Sequence, residues 1–250
     1  MVRRLFILAV LLSSLTTAII GQPADGILIT QRVTSGGAPL TIQLQIQAAR
    51  MRTETAGPDG ITNVTIFDGG RGVLYNIDPV RRTYTEMTKA DVAQLGAQLK
   101  VGPAEIQSQI EKLPPAQRAQ MEAMMKGVEL TRTGVDTVGR WTCDTYELTL
   151  AGQKIGERCT VSLATLGFTA ADFEVMAQMG AFYSVMAPQL AGQLAGPGGV
   201  DMKGSADFPV QTVLMTPGGT VTTEVIAAGR RTFTDSLFAV PAGFTKQSIK

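Results

Sequence analysis

Between Leu40 and Gln47 apolar and polar residues alternate without a break: Leu40, Ile42, Leu44 and Ile46 against Thr41, Gln43, Gln45 and Gln47. A period of two sorts the side chains onto opposite faces of a strand, one apolar and one wet. Arg50, Arg52 and Glu54 alternate with Ala49, Met51 and Thr53 beyond it and read as its continuation. Turn-forming clusters punctuate the region at Ser35-Gly36-Gly37, Gly57-Pro58-Asp59-Gly60, Asp68-Gly69-Gly70 and Asp78-Pro79. From Gly26 to Met87 the pattern predicts a meandering antiparallel sheet.

The period changes at Thr88. Thr88 with Asp91 three residues on is a capping-box-like start, and Val92, Leu95 and Leu99 follow on one helical face. A second helix is expected near Pro103, with Ile106, Ile110 and Leu113 at helical spacing. Pro114-Pro115 ends it and opens a third, which carries Met121, Met124 and Met125. Strands are expected again over Val128–Thr133, Arg140–Leu150 and Lys154–Leu163. A fourth helical stretch, from about Ala170 to Leu194, carries Phe173, Met176, Met179, Phe182, Tyr183 and Met186, with Pro188 placed to kink or end it. Phe208–Met215 and Thr220–Ala227, around Pro217-Gly218-Gly219, predict a hairpin. The fold class expected is mostly antiparallel β with helices (α+β), and neither a repeat nor a second domain boundary interrupts it.

The first residues belong to a different class. Arg3 and Arg4 make the start basic, Leu5 to Leu12 are apolar, and Ser13 to Ala18 and Ile19-Ile20-Gly21 follow, with small residues toward the end. Those are the three parts of a secretory signal, so residues 1–21 are expected to be cleaved and 22–250 to form a single exported domain. The alternative, a membrane anchor, needs about 20 predominantly apolar residues, and Ser and Thr dilute this run well short of that. Losing Arg3 and Arg4 takes the formal charge from +1 to −1. A nearly neutral chain has no electrostatic footprint for nucleic acid.

Export changes the meaning of Cys143 and Cys159. An even count in an oxidising compartment favours a disulfide, and the two flank strand-like runs around Ala151-Gly152. Pairing them centres a hairpin on Ala151, with an odd-length loop and Gly152 at positive φ. A redox-active or metal-binding pair is the alternative, without CxxC spacing to support it.

Histidine is absent from the whole chain. The usual general base, the commonest metal ligand and the middle member of a Ser/His/Asp triad are therefore missing. Gly69-Gly70-Arg71-Gly72 lacks the Lys-Ser/Thr ending and the following helix of a phosphate loop, and reads as a hairpin turn. Glu147 and Glu157 are a conceivable carboxylate pair, but both read as solvated strand residues. No catalytic, cofactor-binding or metal-binding residue is assigned, and Trp141, Tyr146 and Tyr75 are expected to anchor the sheet. The methionines leave three readings open: core filling, a Cu(I) site of soft thioethers, or an adaptable surface for apolar partners.

Several segments carry a family resemblance: Phe67-Asp68-Gly69-Gly70-Arg71, Tyr75-Asn76-Ile77-Asp78, Arg82-Thr83-Tyr84-Thr85-Glu86-Met87, Gly139-Arg140-Trp141-Thr142-Cys143-Asp144-Thr145-Tyr146-Glu147 and Phe238-Ala239-Val240-Pro241-Ala242-Gly243-Phe244. Together they resemble an uncharacterised bacterial exported family, domain-of-unknown-function family forty-four-twelve, itself similar to the periplasmic lipoprotein carriers. The resemblance implies a curved, incomplete antiparallel β-barrel with helices covering its concave face and a cavity for acyl chains. The function expected is a periplasmic or secreted carrier of an apolar, lipid-like ligand. Its contact residues would include Met121, Met124, Met125, Met176 and Met179. The alternative is a structural or protein-interaction module of the cell envelope with a filled core.

Overall fold

The computed structural model describes residues 24–98, 108, 111–119, 127–184 and 207–248. Its alternating segments pair into a 12-stranded sheet of order β12-β6-β5-β4-β3-β2-β1-β11-β10-β9-β8-β7. The N-terminal meander comprises β1 (Ala24–Thr34), β2 (Leu40–Gln47), β3 (Arg50–Gly57), β4 (Gly60–Asp68), β5 (Val73–Asp78) and β6 (Thr83–Thr88). A second group holds β7 (Glu129–Val138), β8 (Trp141–Leu150), β9 (Gln153–Ser162), β10 (Asp207–Thr216) and β11 (Gly219–Phe233). Neighbours are antiparallel except for the short β12 (Thr245–Gln247), which lies parallel to β6. The sheet is open: β7 and β12 end the order, and β1 joins the two groups through β2 on one side and β11 on the other.

Two corrections concern turns. The strand expected to run on past Gln47 breaks at Ala48 and Ala49, and β3 turns back so that Gln47 faces Arg50. Ala48 takes φ 49°, a left-handed conformation usually left to Gly or Asn, so no turn residue announced the break. The Ala49 carbonyl accepts from Gly69 N at 2.8 Å, tying this turn to the next one along the same sheet end. The β8–β9 hairpin is likewise closed by two residues, Ala151 and Gly152, both at positive φ, with Leu150 facing Gln153. That is a primed two-residue turn rather than an odd-length loop centred on Ala151. A register shift between Leu148 and Thr149 takes up the extra residue.

Across the N-terminal meander the ladders align one apolar row on one face: Ile27, Ile46, Met51, Phe67, Leu74 and Met87, one from each of six strands. Five of them are buried, and Met87 packs against them. On the other face Val64, Ile66, Val73, Tyr75 and Ile77 form a second cluster under Phe238, flanked by Phe233, Leu237, Val240 and Phe244. The apolar chain end therefore serves as a cover. Arg50 and Arg52, which the alternation puts on a wet face, hold it in place. Arg50 pairs with Asp235 at 2.6 Å, and Arg52 Nη1 donates to the Leu237 carbonyl at 3.1 Å.

Candidate functional site

The helices that dock on the apolar row begin with local capping. Thr88 accepts from Asp91 N, and the Asp91 carboxylate accepts from Thr88 N at 2.8 Å and Thr88 Oγ1 at 2.7 Å, opening α1 (Lys89–Gln98). Hydrogen bonds from the Thr88 hydroxyl and amide hold the Asp91 carboxyl below its ordinary range. Val92 is fully buried. Thr169 and Asp172 repeat the device, leading a 3₁₀ turn (Ala170–Phe173) into α2 (Glu174–Ser184).

One face of α2 is buried: Val175, Met176, Met179 and Phe182, at spacings of three and four. Phe182 meets Phe67 of the apolar row edge-on, ring centres 5.5 Å apart. Gln178 lies against the β4–β5 turn, where a Cβ on Gly69 would meet the end of its flexible side chain at 1.9 Å and the Ala49 carbonyl oxygen at 3.1 Å, so a larger residue there would displace the Gln178 amide. A second tether joins Asp172 to Arg230 of β11 by two hydrogen bonds of 2.7 Å, with Arg230 Nε donating to the Gly167 carbonyl at 3.3 Å. Partial burial opposes ionisation of Asp172, but hydrogen bonds from Arg230 and Thr169 outweigh it and hold the carboxyl below its ordinary range.

A lowered carboxyl pKa contributes stability above the unfolded value and loses it as pH falls through the folded one. Asp172→Asn should therefore melt below the wild type at neutral pH, and the gap should begin to close below about pH 4, where the unfolded carboxyl protonates first, and vanish once pH falls below the folded value. Melting curves across that range check this; a gap independent of pH would mean the pair contributes nothing through its charge.

Met176 and Met179 are thus placed together in the main core, facing the sheet. Met121, Met124 and Met125 lie outside the described residues. Cys143 and Cys159 form a disulfide across β8 and β9 with Cα atoms 5.5 Å apart, buried within the same core. They are diagonal neighbours, since Thr145 rather than Cys143 faces Cys159 in the ladder. Denatured protein without reductant should show no titratable thiol, and reduction should lower stability by roughly 3 kcal/mol, the scale for a closed loop of this size. Two reactive thiols would refute the pairing.

The other candidate chemistry resolves into surface structure. Glu147 and Glu157 face one another, and exposed Lys154 pairs with both, at 3.1 and 2.6 Å, beside an open groove of about 340 Å³. Gly69 to Gly72 border a groove of about 290 Å³ with Thr88, Lys89 and Ala90, where Asp91 already serves the helix start. Among the described residues, no group of three or more His, Cys, Asp or Glu side chains could hold a metal ion. Trp141 and Tyr75 are buried, and Tyr146 is half-buried.

Two polar groups went unread in the sequence. Gln31 of β1 is 4% exposed, and its Oε1 has no hydrogen-bond partner. Arg158 of β9 is half-buried, and its Nε donates to nothing. The one available signal was Gly156-x-Arg158-x-Thr160, where small residues on one side of a strand leave room for a long one.

An open antiparallel sheet with helices docked on an apolar row defines the class of fold. The chain belongs to the family described as domain of unknown function (DUF4412), whose model matches residues 107–244, more than half of its length. No curated protein matches it. Among solved structures it is similar to the Pseudomonas aeruginosa MucA/MucB complex at 10% identity and TM-score 0.41, over 90% of this chain and 59% of that one. It is also similar to PNGF-II at 10% identity and TM-score 0.39, over 90% of this chain and 31% of that one.

Proposed function

We propose that this chain is an exported binding protein for an apolar, lipid-like ligand. The carrying observation is the apolar row Ile27–Ile46–Met51–Phe67–Leu74–Met87, which crosses six strands beneath a helix presenting Met176 and Met179. Unbranched thioethers adapt to variable apolar shapes. In this reading residues 1–21 are a cleaved leader and 22–250 one domain, an incomplete barrel of the lipoprotein-carrier kind whose helices cover its concave face. The buried disulfide fits an oxidising compartment, and no described helix is long and apolar enough to cross a membrane.

Mass spectrometry of lipids extracted from the purified protein tests the proposal, together with displacement of a fluorescent fatty-acid analogue by long-chain lipid. A co-purifying acyl species, and weaker binding by Met176→Asp through an unpaired charge in an apolar site, are expected. No binding by the wild type would defeat it. One observation favours a second reading, an envelope interaction module. Edge strand β7 is almost wholly exposed, with Val135 at 60% and Leu130 at 49%, a surface suited to a protein partner.

A further inference from the structure

Most arginines in a folded chain that lose solvent gain a carboxylate. Arg158 does not. Burial alone disturbs its guanidinium, pulling its pKa below the ordinary arginine value, and among the described residues no acidic side chain compensates. Its Nε is shielded from solvent without a hydrogen-bond partner. Arg158 is half-buried, and even partial desolvation of a cation without a partner costs free energy.

The surroundings of Arg158 are suited to accept a negative group. In the ladders it stands between Tyr146 of β8 and Thr212 of β10, both hydroxyl-bearing. Thr212 and Thr160 are buried, at 9% and 8% exposure. Gly156, two residues away on the same side of β9, adds no side chain. The row continues from Thr212 through Thr223 to Val33 of β1, whose neighbour on that side is Gln31, with its unused buried amide oxygen. Ile29 and Ile27 follow along the same side of β1 and enter the apolar core. Polar groups lacking partners thus lead along one face into apolar surface.

We propose that Arg158 binds the anionic head of an amphiphile, a carboxylate or phosphate on a single acyl chain, whose tail runs from there toward β1 over the same face of the sheet. This rests on the apolar-ligand reading above and adds the charge of the ligand to it. A planar guanidinium matches either oxyanion, with Tyr146 and Thr212 hydroxyls beside it as further donors.

The test measures binding of laurate, dodecyl phosphate, methyl laurate and inorganic phosphate to the mature protein and to Arg158→Met, which keeps the stem and removes the charge. Arg158→Lys, which keeps the charge and loses the fork, serves as a second variant should Arg158→Met not fold. The wild type should prefer laurate or dodecyl phosphate to methyl laurate by about tenfold or more. Arg158→Met should bind all the amphiphiles with the affinity of the ester; Arg158→Lys should keep part of the preference. Equal binding of ester and acid by the wild type would overturn the anionic head and leave an apolar-ligand protein. A preference that survives Arg158→Met would overturn the role of Arg158. Inorganic phosphate binding as tightly as dodecyl phosphate would reduce the site to a simple anion site, and a wild type that binds none of the amphiphiles would defeat both proposals.

Discussion

Phe182→Ala should lower the stability of the mature protein by about 3–5 kcal/mol, the range for emptying a fully buried aromatic position. Phe182 has no exposed surface and lies between Phe67 on the sheet and Tyr183 on its own helix, with ring centres 5.5 and 5.4 Å away. Edge-to-face pairs of this kind contribute about 0.5–1.5 kcal/mol beyond their buried area. The loss should concentrate in α2, because Phe182 joins that helix to the centre of the apolar row. Hydrogen exchange should therefore accelerate across Glu174–Ser184 before the β8–β9 hairpin is affected. Phe182→Leu, which fills most of the volume, should cost clearly less. Chemical denaturation measures both variants, and a loss below about 1 kcal/mol for alanine would mean that α2 is not held to the sheet by this contact.

Gly156→Val should be as damaging, for a different reason. Gly156 faces Leu148 on one side and Leu214 on the other. A Cβ built on it would stand 2.1 Å from the Val213 carbonyl oxygen and 3.1 Å from its carbon. No rotamer relieves a clash with backbone; β9 and β10 would have to separate and lose ladder hydrogen bonds. The expected cost is about 3 kcal/mol or more, at the upper end of overpacking effects. Gly229→Ala is the control, since its added carbon would meet nothing within 4 Å. That variant should stay within about 0.5 kcal/mol of the wild type. If Gly156→Val melted alongside it, the close approach of β9 to β10 would be wrong.

The sheet was legible wherever one face is wet and the other dry. Leu40–Gln47 announced itself by strict alternation, and Thr88–Asp91 announced a helix start, because both signals are local. The turn at Ala48 was invisible: its left-handed residue carries no turn signature, and a hydrogen bond from Gly69 helps hold it. The closing Phe238, Val240 and Phe244 read as apolar, but their partners on β4 and β5 lie far away in sequence. Met176 and Met179 could be placed on one helical face from their spacing. For Arg158 the spacing Gly156-x-Arg158-x-Thr160 offers only a hint of room, because what distinguishes it is the absence of a partner, and absences of contact are written only in three dimensions.

The pairing of β1 with β11 has a kinetic consequence. Thr232 reaches Asp25 across 207 positions of chain, and Ala24 faces Phe233. β2 to β6 can form a meander among near neighbours, but β1, the strand that joins them to the rest, waits for β11, 207 positions further on at the Asp25–Thr232 contact. Ladders between such distant residues carry the loop-closure cost that makes β-rich topologies slow to fold. Until β11 docks, β1 is an open edge ending in an apolar row, the kind of surface that seeks a partner strand from another molecule. A truncation ending before Gly219 should therefore not behave as a smaller version of the same fold; it should leave that edge bare and aggregate.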